Sequence, residues 1–165
     1  MSTEERVVFD EAREFLAKGF GYAAIMGTRP QTIGYGISDS PVGLAAWIYD
    51  KLADWVFIRG DPERALTKDE ILDNISLYWF TNSGTSSGRI YWENSAENPK
   101  LVPITIPAAV TVFPGEVYRP PKKWVQRGYS NLIYYNAVDK GGHFAAWEEP
   151  VLFSDEVRAA FRTLR

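Results

Sequence analysis

Two short runs near the end of the chain, AAVTVF (108–113) and LIYYNAV (132–138), set the limits on what it can fold into. Both are rich in β-branched or aromatic residues and bounded by Pro and Gly, which reads as buried strand. SDEVRAAFRTLR then closes the chain as a helix from Ser154, with Val157, Phe161 and Leu164 inward. Two strands and one helix cannot bury both faces of a sheet without help. The part after residue 98 therefore reads as the tail end of a larger α/β sheet.

The residues before it carry helical periodicity instead. Ser2 and Glu5 are spaced for a capping box over a helix at 4–18, where Val8, Phe15 and Leu16 share a face and Gly19 can end the run. Ser40 is a good N-cap and Pro41 suits a first helical position, ahead of Leu44, Ile48, Leu52 and Trp55 at helical spacing. Thr67 and Glu70 form a second capping-box pattern, followed by a stripe of Ile71, Ile75, Tyr78 and Trp79. NSGTSSG (82–88) reads as a loop or helix break by composition. The expected division is an all-helical region at 1–98 and a strand–loop–strand–loop–helix region at 99–165.

Composition narrows the function classes. Six Trp and nine Tyr suggest a pocket or interface walled with rings. A net charge of −3 without a basic stripe gives no footprint for nucleic acid or an anionic membrane. The absence of Cys excludes disulfides, thiolate catalysis and Cys-based zinc sites, and a single His disfavours other transition-metal sites, so no cofactor or metal is expected. The N-terminus MSTEERVVFDEAREF is unlike a signal peptide, and no apolar run approaches membrane-spanning length, which makes a cytoplasmic protein the default expectation.

The one histidine, His143, stands in GGHFAAWEEP, just after the second candidate strand. Glu116, in VTVFPGEVYRPP, stands just after the first. Groups at the C-terminal ends of adjacent parallel strands meet at one sheet edge, where α/β sites form. A carboxylate there fixes the imidazole tautomer and stabilises its protonated form, leaving the other ring nitrogen to take a proton from water or a nucleophile. On spacing alone, Glu116 also reads as a solvated loop carboxylate and His143 as a structural cap. GTSSG (84–88) fits the G-x-S-x-G elbow with Ser86 at its centre, which would make a serine esterase in the order Ser, Glu, His. That elbow needs a buried strand before the serine, and LYWFTNS continues an amphipathic helix. Tyr22 and Tyr91 are phenols able to donate to an oxygen gaining charge, although nothing in their spacing separates them from seven other tyrosines.

Together, GYAAIMGTRPQTIGYGISDSPVGLAAWIYDKLADW, LTKDEILDNISLYWFTNS, GRIYWEN, IPAAVTVFPGEVYRPP and DKGGHFAAWEEP resemble the epoxide hydrolases of the α/β-hydrolase superfamily, in the branch related to the microsomal enzyme. The resemblance runs from about Phe15 to the C-terminus and in the family's order. It implies an α/β fold, a partial α/β-hydrolase with a helical lid followed by the last two strands and last helix of the sheet. It also implies hydrolysis of a small apolar epoxide to a vicinal diol through an aspartyl ester. In that scheme His143 is the base, Glu116 its acid partner, and Tyr22 and Tyr91 the lid tyrosines that polarise the epoxide oxygen. The family's nucleophilic aspartate lies in a glycine-rich elbow that has no counterpart here, and Asp39, Asp54 and Asp139 do not replace it. The expectation is thus a chain without its nucleophile-bearing half, which forms homo-oligomers, pairs with that half, is a non-catalytic remnant, or acts alone with His143 and Glu116 activating water directly against an epoxide held by the tyrosines.

Overall fold

The computed structural model describes residues 1–95 and 103–164. The expected boundary at 98/99 lies outside the described residues. Six α-helices come first: α1 (Thr3–Lys18), α2 (Gly21–Thr28), α3 (Pro30–Asp39), α4 (Pro41–Trp55), α5 (Lys68–Phe80) and α6 (Gly84–Ser95). They are followed by β1 (Ala108–Val112), α7 (Lys122–Gly128), β2 (Leu132–Ala137), α8 (Ala145–Glu148) and α9 (Pro150–Ala160).

The starts of the helices follow from local chemistry. Both capping boxes form: the Ser2 hydroxyl accepts from the Glu5 N–H while Glu5 accepts from the Ser2 N–H, and Thr67 and Glu70 do the same over α5. Ser40 caps α4 by accepting from the Gly43 N–H, with Pro41 in the first turn. The buried faces of α3, α4 and α5 meet at Ile37, Leu44, Leu52, Ile71 and Ile75, joined by Val56 and Leu66 from the connection after α4. Phe144 and Trp147, from the far end of the chain, pack against this same cluster. Leu16, expected to share a face with Val8 and Phe15, stays exposed.

NSGTSSG breaks the helix only at its start: its residues 82 and 83 lie between α5 and α6, and residues 84–88 are helical. Asn82 takes a left-handed φ of 50°, which reverses the chain in one residue, and α6 begins at Gly84. The small residues serve helix packing instead: a Cβ on Gly34 would lie 2.5 Å from the Thr85 side chain, so α3 and α6 approach closely only because Gly34 has none. The Ser38 and Thr85 hydroxyls hydrogen-bond across that contact at 2.8 Å.

β1 and β2 pair in parallel, with Val110 opposite Tyr135 and Thr111 opposite Asn136, and an irregularity between Ala108 and Ala109. A further bridge joins Gly115 to Gly142 beyond the strand ends. The strands are half-buried rather than buried, with α9 in contact with both. That helix begins at Pro150, not Ser154, because the proline supplies a ready first turn. Its apolar stripe does not face inward either: Val157, Phe161 and Leu164 are exposed, and the buried positions include Ala160. Glu156 explains the choice of face. Its carboxylate accepts from the Thr111 hydroxyl at 2.9 Å, the Tyr134 hydroxyl at 2.9 Å and the Asn136 amide at 3.0 Å, so it ties the helix to both strands. Among the described residues no helix is long and apolar enough to cross a membrane.

Candidate active site

β1 runs out into Phe113–Pro114–Gly115–Glu116, and β2 into the turn that carries Gly141, whose φ of 98° few side chains tolerate. The two exits lie side by side because the Gly115 N–H donates to the Gly141 carbonyl at 3.0 Å. Glu116 and His143 are thereby brought together at the C-terminal ends of the strands. His143 Nδ1 lies 2.8 Å from Glu116 Oε1. A carboxylate can only accept, so Nδ1 carries the proton and Nε2 keeps its lone pair.

Charge supports that arrangement. The hydrogen bond to Glu116 raises the pKa of His143 above its ordinary value; burial opposes the rise, and the charges of Glu116 and Glu148 add to it. Burial pushes Glu116 upward, but hydrogen bonds from His143 and from the Val117 N–H outweigh it and leave the carboxyl below its ordinary value. Glu116 is therefore ionised, and the imidazole beside it is a stronger base than a free one.

The loop around His143 is packed onto the end of α4. The His143 N–H donates to the Trp55 carbonyl at 3.0 Å. The Trp55 ring lies 5.0 Å from the imidazole and 5.2 Å from the Tyr22 ring, and Tyr22 lies 5.8 Å from Tyr91. A continuous row of rings thus runs from the two tyrosines to the histidine. Tyr22 and Tyr91 line a cavity of about 700 Å³ with Met26, Leu52, Trp55 and Ile90, while His143 and Glu116 line an adjacent one of about 450 Å³. Phe144 and Trp147 form walls of both. Burial, and then the charge and hydrogen bond of Tyr91, push the Tyr22 phenol up to about 12, so at neutral pH it is a protonated donor. The Lys51 ammonium lies 5.1 Å from the centre of the Tyr22 ring.

Ser86 does not stand at an elbow. It lies in the first turn of α6, preceded by the helix α5 rather than a strand, and its hydroxyl donates to the Ser83 carbonyl at 3.2 Å. Asp39 ends α3 and Asp54 lies within α4, so neither follows a strand; Asp139 follows β2 but leads into a glycine turn, not a helix. Among the described residues no group of three or more His, Cys, Asp or Glu could hold a metal ion. Sequence reasoning missed Trp55 and Glu148. The carboxylate of Glu148 accepts from the N–H groups of Gly142 and Phe144, each at 3.2 Å, and of Phe57 at 2.7 Å. The only signal for it was its place in GGHFAAWEEP, five residues past the histidine.

No family model matches the chain. Individual proteins do. The chain is 52% identical over its full 165 residues to a protein of Stigmatella aurantiaca (strain DW4/3-1) named "Putative epoxide hydrolase", covering 38% of that protein. It is 40% identical over 154 residues to epoxide hydrolase 1 of Sus scrofa, covering 87% of this chain and 34% of the relative. The crystal structure of juvenile hormone epoxide hydrolase from the silkworm Bombyx mori superposes with a TM-score of 0.88 at 31% identity, over 99% of this chain and 43% of that one. The chain thus spans 34% to 43% of the length of these three proteins.

Proposed function

Because this chain belongs by sequence and by fold with the epoxide hydrolases of α/β-hydrolase architecture, we propose that it carries their water-activating and oxygen-polarising groups. The substrate is a small apolar epoxide, suited to a cavity walled by Met26, Leu52, Trp55 and Ile90. Tyr22 and Tyr91 donate hydrogen bonds to the epoxide oxygen as the ring opens, which stabilises the forming alkoxide. A carboxylate takes the attacked carbon as an ester. His143 Nε2 then removes a proton from water, and the hydroxide adds to the ester carbonyl. As the acyl–oxygen bond breaks, the leaving oxygen takes that proton back from the imidazolium. The proton left on the regenerated carboxyl replaces the one the tyrosines gave to the epoxide oxygen, and the diol departs. Glu116 holds the imidazolium formed when water is deprotonated. The helical region serves as the lid and the strand-bearing region as the core.

None of Asp39, Asp54 and Asp139 follows a strand into a helix, as the family's nucleophile elbow requires. On this reading the nucleophile comes from sequence outside these 165 residues, and the half-covered strands are the surface it joins. The observation that carries the reading is the 2.8 Å contact between His143 and Glu116 at the ends of two parallel strands, linked by Trp55 to the paired tyrosines. The test is diol formation from an aryl epoxide by the folded chain, alone and mixed with a nucleophile-bearing N-terminal portion of a homologous enzyme. Turnover in either preparation that disappears with His143→Ala supports the reading; turnover that persists in that variant refutes it.

A further inference from the structure

The proposed chemistry leaves one carboxylate beside the histidine without a task. Glu148 receives three backbone N–H groups: Gly142 and Phe144, which flank His143, on one oxygen, and Phe57 on the other. Between those two bonds the His143 N–H donates to the Trp55 carbonyl. Three consecutive amides of the histidine loop are therefore anchored on residues 55–57, one directly and two through Glu148. Phe57 and Glu148 are 91 residues apart, so the tie joins the helical region to the loop that follows β2. Van der Waals packing along the same seam is close: a Cβ on Gly142 would lie 2.6 Å from both the Phe57 nitrogen and the Trp55 oxygen.

We propose that Glu148 is a positioning residue for His143, fixing its loop on the C-terminal end of α4 so that the imidazole faces Glu116 on one side and the ring row from the tyrosines on the other. Its catalytic meaning rests on the function proposed above; the geometry it describes does not. Bonds from a backbone N–H to an ionised carboxylate are among the stronger ones in proteins, and three on one side chain leave the loop little freedom. The charges that act on the imidazole are those of Glu116 and Glu148, which both favour its protonated form. A positioning role of this kind has a signature that mere packing lacks, because it changes the titration of the histidine.

The test compares the parent chain with Glu148→Gln, Glu148→Asp and Glu148→Ala. Glutamine keeps the shape but only one accepting oxygen, so either Phe57 or the Gly142 and Phe144 pair must face an amide NH₂ instead. Aspartate keeps both oxygens on a shorter stem. His143 is the only histidine, so its ring-proton resonance can be followed through a pH titration without assignment. The expected result for Glu148→Gln is a lower His143 midpoint, with amide exchange at Phe57, or at both Gly142 and Phe144, at least about tenfold faster than in the parent. Glu148→Asp should recover part of both effects, and in a preparation with turnover kcat should fall while KM holds. A folded Glu148→Gln chain whose amide protection and His143 midpoint equal the parent's overturns the inference. If Glu148→Ala does not fold, the Gln and Asp variants decide alone. None of these readouts needs turnover. Loss of diol formation in His143→Ala together with unaltered Glu148→Gln spectra would sink this inference and leave the proposed function standing.

Discussion

Gly142→Ala should be far more damaging than its chemistry suggests. A methyl group there would lie 2.6 Å from the Phe57 nitrogen and the Trp55 oxygen and 2.7 Å from the Glu148 carboxylate, where ordinary contact begins at 3.4 Å. Two of the three obstacles are backbone, so the loop must retreat by about 0.8 Å, the difference between ordinary contact and 2.6 Å. Overpacking of this kind costs about 1–3 kcal/mol. The retreat also stretches the Gly142 bond to Glu148 and the His143 bond to Trp55, each worth about 1 kcal/mol or more. Allowing for partial relaxation, the loss is about 2–5 kcal/mol, or roughly 5–15 °C in Tm for a chain of this size. The same retreat moves the residue next to His143, so the 2.8 Å bond from Nδ1 to Glu116 should weaken with it. Gly36→Ala is the control. Gly36 lies within α3 with open space where its Cβ would be, so that substitution should stabilise by up to about 1 kcal/mol. Thermal melts followed by circular dichroism measure both. The reasoning is refuted if the Gly142 variant melts within about 1 °C of the parent, given the expected scale per kcal/mol.

The pair itself should show in the pH dependence of stability. His143, raised above its ordinary 6.5, stabilises fully below that value and loses its contribution as pH climbs through its folded value. Glu116, lowered from 4.5, contributes fully above that value and loses its share as pH drops through its folded value. The Tm difference between the parent and Glu116→Gln should therefore be largest between pH 4.5 and 6.5 and shrink on both sides; a flat difference would show that the contact is not made in solution. For the tyrosines, Tyr22→Phe should remove the group that titrates at about 12 from the alkaline ultraviolet titration. Where turnover is measurable, the same variant should lower kcat about 100- to 1000-fold, by analogy with the loss of one oxyanion donor. A Tyr22→Phe enzyme with full kcat would place the epoxide oxygen elsewhere.

What could be read from the sequence divides by distance along the chain. Both capping boxes, the Ser40–Pro41 start and the two strands were legible because their signals lie within a few residues of one another. That Glu116 and His143 meet was legible too, since it required only that the two strands be parallel neighbours. Tyr22 and Tyr91 came from family resemblance, since nothing local sets them apart among nine tyrosines. The start of α9 and its inward face were misread because an apolar stripe outweighed Pro150 and because a carboxylate with three strand partners is invisible in a hydropathy pattern. In NSGTSSG the break was legible but its extent was not, since residues 84–88 are helical. Small polar residues break helices when solvated, yet here they let α6 lie against α3. Glu148 had one local signal, its place five residues past the histidine. Its bond from Phe57 and the bond from His143 to Trp55 span about ninety residues, beyond the reach of any spacing rule.

That same separation gives the site a place in time as well as in space. Helices such as α1 and α5 close bonds between residues three or four apart and gain their caps from within the same turn, so they can form as soon as the chain is free to fold. The Glu116–His143 contact must wait for a crossover of 27 residues, and the Glu148–Phe57 tie for one of 91. Closing such loops is an entropic hurdle that local contacts do not share. Refolding is therefore expected to restore helical circular dichroism before the 91-residue tie that holds the histidine loop, and the single His143 resonance can follow the second step.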